Sequence, residues 1–385
     1  MKADPYFARL SEALGDAEIH QPSLILDLDR LDENIAIIKS KLAPALRLRI
    51  VDKSLPSPPL LARIAEAFET NLFMTFHLPI SAAVLDEFRT ADLLLGKPMP
   101  VGGLRRALLD RDPAETARIV WLVDTDERLA AYGAVAEALG VDIRFCFEVD
   151  VGLHRGGYPN PDALTKALQT LAAHPRLHCQ GVMAYEAHIN HVPRWLGGPA
   201  KALAKTRELF ARFVDRLGAE QRSILNLGGS STALLYDGAV GANEISMGSA
   251  FVLPSDFDVP SLAELKPAIF IATPILKVVN AMAPGLDGSS WILQKLGLFP
   301  KRGCFLYGGK WMGVPVYPPG MKPNAILGVS TNQQFMTLLD DAAVEPDDFA
   351  FLRPTQSEFV LQLFGPIAVF SQDRIVDRWP VIAPS

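Results

Sequence analysis

Up to residue 227 this chain alternates short apolar runs with helical stripes, and that alternation constrains its fold more than any other feature. Runs at Ser23–Leu28, Leu46–Val51, Leu72–Phe76, Asp92–Leu95, Ile119–Val123, Ile143–Val149, His178–Tyr185 and Ser223–Leu227 have the length and apolar content of buried strands. Between them, apolar residues recur at helical spacing, as at Leu31, Ile35 and Ile38, or at Leu203, Phe210, Phe213, Val214 and Leu217. Asp29 is the expected N-cap of the first helix. A strand and then a helix, repeated about eight times, predicts parallel βαβ units. Right-handed crossovers of that number close into a barrel or spread into an open doubly wound sheet. Periodicity alone does not separate the two; a count near eight favours the barrel.

The pattern breaks after residue 255. Leu253–Pro260 is punctuated by proline. Beyond it, helical patterns vanish, and apolar runs at Ala268–Ile275, Cys304–Tyr307, Ala325–Val329, Phe359–Leu363 and Ile367–Phe370 stand between Gly/Pro turns. The expected fold class is α/β: an N-terminal (β/α)8 TIM barrel over residues 23–255 plus a C-terminal, mostly-β domain over 256–385. Lys and Arg number 37 against 43 Asp and Glu, a net charge of −6 with no basic run, which argues against nucleic acid as a partner. No apolar stretch reaches the roughly 18 residues of a membrane span. The N-terminus lacks the marks of a signal or transit peptide, so a cytoplasmic protein is expected. Three cysteines make no disulfide framework, and of the seven histidines none lies beyond His191.

In such a barrel, reactive groups sit where strands end. Five segments stand there. Arg49-Ile-Val-Asp-Lys-Ser places Lys53 at the end of an apolar strand. Partial desolvation would make it a candidate Schiff-base nucleophile; a surface lysine with a buried stem is the plainer alternative. Glu148-Val-Asp-Val-Gly-Leu-His-Arg-Gly-Gly offers glycines for close backbone approach and Arg155 to grip an anion, or else an ordinary turn with a salt bridge. Gly181-Val-Met-Ala-Tyr-Glu-Ala-His-Ile-Asn-His gathers Tyr185, Glu186, His188 and His191 after one strand. Histidines three apart are acid–base groups, metal ligands, or satisfied structural side chains. Asn226-Leu-Gly-Gly-Ser-Ser-Thr offers the Gly228 and Gly229 amides with the Ser230 and Ser231 hydroxyls as a phosphate cradle, and Gly248-Ser249 offers a second contact. A lysine, an arginine, a Tyr/His cluster and two Gly/Ser loops together ask for a phosphorylated carbonyl cofactor, which describes pyridoxal 5′-phosphate (PLP).

In this order the segments resemble the fold-type III PLP enzymes of the D-threonine aldolase and D-serine dehydratase group, distant relatives of alanine racemase. Pro22 through Ile35 is similar to the group's opening T-P-x-L-x-L-D-L-D-x-L-x-x-N-I. Arg49 through Ser57 aligns with R-P-H-x-K-T-H-K-S and puts Lys53 on the Schiff-base lysine. Matching E-x-D-x-G-x-x-R-x-G makes Arg155 the cofactor-contacting arginine. Matching G-x-x-A-Y-x-G-x-x-x-H sets Tyr185 against the pyridine ring and His191 as the active-site histidine. Gly228, Gly229, Ser230, Ser231, Gly248 and Ser249 fall on the two phosphate segments, and Arg374-Ile-Val-Asp-Arg-Trp-Pro-Val on the closing strand. The resemblance implies an alanine racemase-like barrel, a β domain that also takes in residues 1–22 and completes the active site, and a homodimer with the site near the subunit interface.

The departures bear on the metal. Where metal-dependent members carry P-x-H-x-C or P-x-H-x-D, this chain reads Pro354-Thr-Gln-Ser-Glu. Gln356 replaces the histidine and Glu358 the Cys/Asp, and Gln is a poor ligand for Zn²⁺ or Mn²⁺. Ser330-Thr-Asn-Gln-Gln falls where the group has D-E-H-x, and Val51 and Pro56 replace the His and second Lys of the lysine segment. Gln333, Gln334, Gln356 and Glu358 are expected to form a polar, metal-free wall that serves as a substrate or degenerate metal site. The implied function is a lyase that cleaves a β-hydroxy-D-amino acid, with Lys53 and His191 catalytic and an amino acid as the small-molecule substrate. The alternatives are an amino-acid racemase or epimerase with a tyrosine such as Tyr307 or Tyr317 opposite Lys53, a D-serine-type dehydratase, and a non-enzymatic PLP-homeostasis protein.

Overall fold

The computed structural model describes residues 4–286 and 288–383. The chain divides into two compact units: residues 35–250 with 259–264 and the tail from Ile382, and residues up to 34 with 251–258 and 265–381.

The first strand, β1 (Ser23–Asp27), lies in the second unit. The next eight close the first unit into a barrel: β2 (Arg47–Val51), β3 (Leu72–Thr75), β4 (Asp92–Leu95), β5 (Ile119–Val123), β6 (Ile143–Glu148), β7 (Leu177–Met183), β8 (Ile224–Leu227) and β9 (Glu244–Met247). Neighbours are parallel all the way round, and β2 pairs with β9 from Arg47 opposite Glu244 to Ile50 opposite Met247. Helices cover the outside and side chains fill the inside, so these strands are buried on both faces and read as unbroken apolar runs. Phe73, Trp121, Phe145 and Phe147 are fully enclosed.

The number eight holds, but the membership differs from the expectation: Ser23–Leu28 leaves the barrel and Glu244–Met247 completes it. The physical reason is that all five residues of β1 are buried, since it runs between two other strands of an open sheet. A strand covered on both faces looks the same in sequence whichever sheet it joins. The helix cap shifts too. The helix Leu28–Lys41 is capped by Asp27, which accepts from the Arg30 amide at 3.0 Å. Asp29 instead accepts from the Ser371 hydroxyl at 2.7 Å and the Gln372 amide at 3.1 Å.

The second unit holds a nine-stranded mixed sheet. Its later strands are β10 (Ile269–Asn280), β11 (Arg302–Leu306), β12 (Gly313–Tyr317), β13 (Lys322–Pro323), β14 (Phe335–Thr337), β15 (Phe349–Pro354), β16 (Ile367–Ser371) and β17 (Arg374–Trp379). β1 lies between β10, antiparallel, and β16, parallel. The helix Pro5–Asp16 packs Phe7, Leu10 and Leu14 onto Phe270, Tyr317 and Phe351, with the Phe7 ring 5.0 Å from that of Phe351. Two apolar runs are not strands. At 325–329 the Asn324 side chain accepts from the Ile326 and Leu327 amides and makes a turn, and Phe359–Leu363 contains a single 3-10 turn, Val360–Gln362. A six-residue helix, Ser290–Lys295, stands where no helical pattern was visible. No helix among the described residues is long and apolar enough to cross a membrane.

Arg49 holds the barrel together near its N-terminal end. Its Nε and Nη2 donate to the Glu244 carboxylate at 2.7 and 3.0 Å, joining β2 to β9. Nη1 donates to the carbonyls of Phe73 and Asp92, both at 3.0 Å, and Nη2 also to the Asp92 carboxylate at 3.1 Å. All five N–H groups of a fully buried guanidinium are thereby used. Arg47, half exposed, adds a weaker contact to Glu244 at 3.0 Å. Removing one partner of a buried ion pair strands the other charge, at a cost of about 3–5 kcal/mol, whereas an exposed pair contributes about 0–1 kcal/mol. Glu244→Ala should therefore shift the urea unfolding midpoint strongly and Arg47→Ala scarcely. Equal small shifts in both would show that the Arg49 network is not what closes the wall.

Candidate active site

Lys53 stands in the 3-10 turn Asp52–Ser54, directly after β2, with its Nζ 4.3 Å from the centre of the Phe76 ring. That turn touches the end of β9. A Cβ at Gly248 would lie 2.9 Å from the Cβ atoms of both Val51 and Ser54, so only glycine fits there. The Gly248 and Ala250 amides both donate to the Ser230 hydroxyl oxygen at 3.2 Å. A hydroxyl has two lone pairs and one proton. With both lone pairs occupied, Ser230 is left as a donor, which suits an anion.

Next to it, a Cβ at Gly229 would fall 2.4 Å from Cε2 of Tyr185, so glycine lets the ring lie against the loop backbone. The Arg155 guanidinium sits 5.1 Å from the centre of the same ring. The turn leading to Arg155 is fixed by Asp150, whose Oδ1 accepts from the Gly152 and His154 amides at 2.8 and 3.0 Å. Its Oδ2 meets His154 Nδ1 at 2.7 Å. Val51 and Ser54, which bracket Lys53, together with Gly248, Ser230, Gly229, Tyr185 and Arg155 thus form one run of contacts across the strand ends β2, β9, β8, β7 and β6.

The Gly228 and Gly229 amides do not fill the role expected of them, because both already donate to side chains, one after β7 and one in their own loop. The first donates to Glu186 Oε2 at 3.2 Å and the second to Thr232 Oγ1 at 3.1 Å. Ser231 offers its carbonyl to the Ser261 hydroxyl at 2.8 Å and to Asn190 Nδ2 at 3.5 Å. Ser249 is buried in the 3-10 turn Ser249–Phe251 after β9. His191, on the turn Ile189–His191, is exposed and lies outside the run of contacts. His188 packs against the turn that leads to Arg155: its Nε2 would meet a Cβ of Gly152 at 3.1 Å, its Nδ1 is buried without a hydrogen-bond partner, and burial lowers its pKa.

The sequence reading left three acids at strand ends without a role. Burial pushes Asp52 up to about 8, against the opposing pull of the Thr75 hydroxyl and Lys53. Burial also raises Glu148 to about 7, with Arg155 pulling the other way. It raises Glu186 to about 7 against its hydrogen bonds from Thr232 and Gly228. The available signal was a carboxylate inside or just after an apolar run, as in Val51-Asp52, Phe147-Glu148 and Tyr185-Glu186. On β8, the buried Asn226 accepts from the Ser246 hydroxyl at 2.9 Å while its own NH2 has no partner. An amine beside an aromatic ring, a hydroxyl obliged to donate, an arginine over a tyrosine and an orphaned amide donor suit a ligand with an aldehyde, an aromatic ring and a phosphate.

In the sheet unit the polar residues do not share one set of bonds. Gln333 Oε1 accepts from Lys277 Nζ at 3.0 Å, Gln334 Oε1 from the Lys310 amide at 2.6 Å, and Gln356 Nε2 donates to Asp256 at 3.3 Å. Glu358 is half-buried on the turn after β15. Among the described residues no three His, Cys, Asp or Glu side chains are grouped as a metal would need.

The family model described as alanine racemase, N-terminal domain, matches residues 26–256. A 3-hydroxy-D-aspartate aldolase of Paracoccus denitrificans (strain Pd 1222) is 25% identical over 254 residues, which span 63% of this chain and 63% of that protein, just under two thirds of its length. Among solved structures, D-threonine aldolase from Filomicrobium marinum superposes with a TM-score of 0.75 at 18% identity, covering 95% of each chain. D-threo-3-hydroxyaspartate dehydratase from Delftia sp. HT23 gives a TM-score of 0.70 at 16% identity, covering 94% of this chain and 98% of that one. These structural likenesses show the fold.

The three raised acids set a pH dependence. Each folded acid keeps a proton that the unfolded chain releases near pH 4, so stability is fullest below the unfolded values and is lost as pH rises through about 7 to 8. The melting temperature should fall between pH 5.5 and 8.5 (roughly the span of these titrations). Asp52→Asn, which cannot ionise, should flatten that fall. A variant with the wild-type slope would show that Asp52 does not titrate there.

Proposed function

This chain belongs to the alanine racemase N-terminal domain family, and on that footing we propose that it is a PLP-dependent lyase that cleaves the Cα–Cβ bond of a β-hydroxy-D-amino acid. The observation that carries the reading is the run of contacts from the turn that holds Lys53 through Ser230 and Tyr185 to Arg155. The substrate class is the one named for the aldolase relatives. When bound, PLP supplies an aldehyde that condenses with amines and a ring that takes up the electron pair of the broken bond.

Lys53 provides the amine that holds this aldehyde and gives way to the substrate's amine. Ser230 donates its one hydroxyl proton to the phosphate, with Ser231, Gly248 and Ser249 lining the same anion site. Gly228 and Gly229 shape it from behind. Tyr185 presents its ring face to the cofactor and Arg155 lends it positive charge. His191 accepts the proton of the substrate's β-hydroxyl; the tie from its neighbour Asn190 to the Ser231 carbonyl supports its place beside the phosphate loop. The reading needs no divalent metal at Gln333, Gln356 and Glu358. Amide side chains are poor ligands for such ions, and Gln333 and Gln356 already have partners. The working form is a homodimer, a reading supported by Trp291, Leu296, Leu298 and Val329, which the sheet unit leaves exposed.

Purified protein should bind PLP and form glycine from D-threonine or D-3-hydroxyaspartate. Lys53→Ala should abolish glycine formation and the visible absorbance of amine-bound PLP. Excess EDTA should leave the rate within about two-fold. His191→Ala should lower kcat by about 10²–10⁴ and His188→Ala by much less; the reverse order would move the base to His188. A wild-type protein that binds no PLP sinks the reading outright, and exchange of the α-proton without glycine would replace it with racemisation.

A further inference from the structure

We propose that Glu186 is the positioning residue of the phosphate cradle, acting through Gly228 and Thr232 on the loop that carries Ser230. The proposal rests on the PLP reading above and adds to it a residue that touches neither cofactor nor substrate.

Glu186 follows β7 and is fully buried. One carboxyl oxygen accepts from the Gly228 amide at 3.2 Å and the other from the Thr232 hydroxyl at 2.5 Å. Thr232 Oγ1 in turn accepts from the Gly229 amide at 3.1 Å. One carboxyl therefore takes up two consecutive loop amides, the first directly and the second through a hydroxyl. The loop closes on itself from the other side, where the Thr232 and Ala233 amides donate to the Gly229 carbonyl at 3.0 and 2.8 Å. Gly228 turns with φ +89°, a conformation that favours glycine. Ser230 is left at the head of this tied loop, between the Gly248 and Ala250 amides, with only its proton to give.

A buried carboxyl is costly unless it is well bonded, and here its two bonded donors both belong to the loop. The other polar group facing it is the Tyr236 hydroxyl. Arg207 approaches that tyrosine, 5.6 Å from its ring centre, and pairs with Asp237 at 3.6 Å. Glutamine does not reproduce the carboxyl's bonds. Either its NH2 faces the Gly228 N–H, or it donates to Thr232 Oγ1, which then accepts twice and turns its own proton to the Gly229 carbonyl at 3.3 Å. Either change resets the direction of the loop amides and moves Ser230. The loss should therefore fall on recognition of the phosphate ester and spare the aldehyde end.

The test is equilibrium binding of PLP and of pyridoxal, which lacks the phosphate, to wild type, Glu186→Gln, Thr232→Val and Thr232→Ser, each checked for native fold by circular dichroism. Glu186→Gln and Thr232→Val should weaken PLP binding about tenfold or more while pyridoxal binding changes less than about twofold. Thr232→Ser, which keeps the hydroxyl, should bind PLP like wild type. Unchanged PLP affinity in the folded variants, or equal loss for both compounds, overturns the proposal. If Glu186→Gln does not fold, the Thr232→Val and Thr232→Ser pair decides by the same criterion. Wild type that binds neither compound overturns the cofactor reading itself, and this proposal with it.

Discussion

One guanidinium ties the seam of the barrel. Arg49 reaches from β2 to β9, where the wall must close, and to β3 and β4 beside it. It does so from inside a dry interior, where each unmade bond would be costly. The same strand runs on for two residues and delivers Lys53 at its far end. The lysine's position is therefore inherited from a pairing several residues below it. The seam also fixes β9 against β2, and so brings Gly248 onto Val51 and Ser54. The floor of the barrel is ionic and saturated, and its mouth is where unsatisfied polar groups collect.

Those groups share a physical character. Asp52, Glu148 and Glu186 each end or follow an apolar strand, and burial raises the pKa of each. Each stands beside a group that the site needs: Lys53, Arg155 or the Ser230 loop. A protein optimised only for stability would replace such acids with apolar residues of similar volume. Their presence is a stability cost concentrated at the mouth, the pattern expected where geometry and charge serve a ligand.

How much was legible in the sequence follows from what each signal encodes. Barrel strands are buried on both faces, so apolar runs marked seven of the eight, and with them the strand ends where Lys53, Arg155 and Tyr185 stand. Sheet membership was not legible, because β1 is equally enclosed. The motif Asn226-Leu-Gly-Gly-Ser-Ser-Thr does not say which way the Gly228 and Gly229 amides point. Their direction is set by Glu186 and Thr232, which are near in space through a bond no spacing rule reveals. The late apolar runs misled for a related reason: Asn324 and its neighbours satisfy the backbone locally, and a run of apolar letters does not say whether its amides find a strand or a turn. The glutamines and Glu358 fall on two motifs of the resemblance, yet Gln333 and Gln356 take partners on different segments.

The placement of β1 also governs how the chain can be made. This strand is synthesised almost first, yet Ile25 has its partners at Phe270 and Ala368. At about 5–20 residues per second, a ribosome needs tens of seconds to reach the second of them. The strands of the barrel, all complete by Met247, can pair among themselves before either partner is made, while β1 has both edges bare until β10 follows and one until β16 does. The sheet that holds the first strand of the chain can therefore form only after every strand of the barrel has been made.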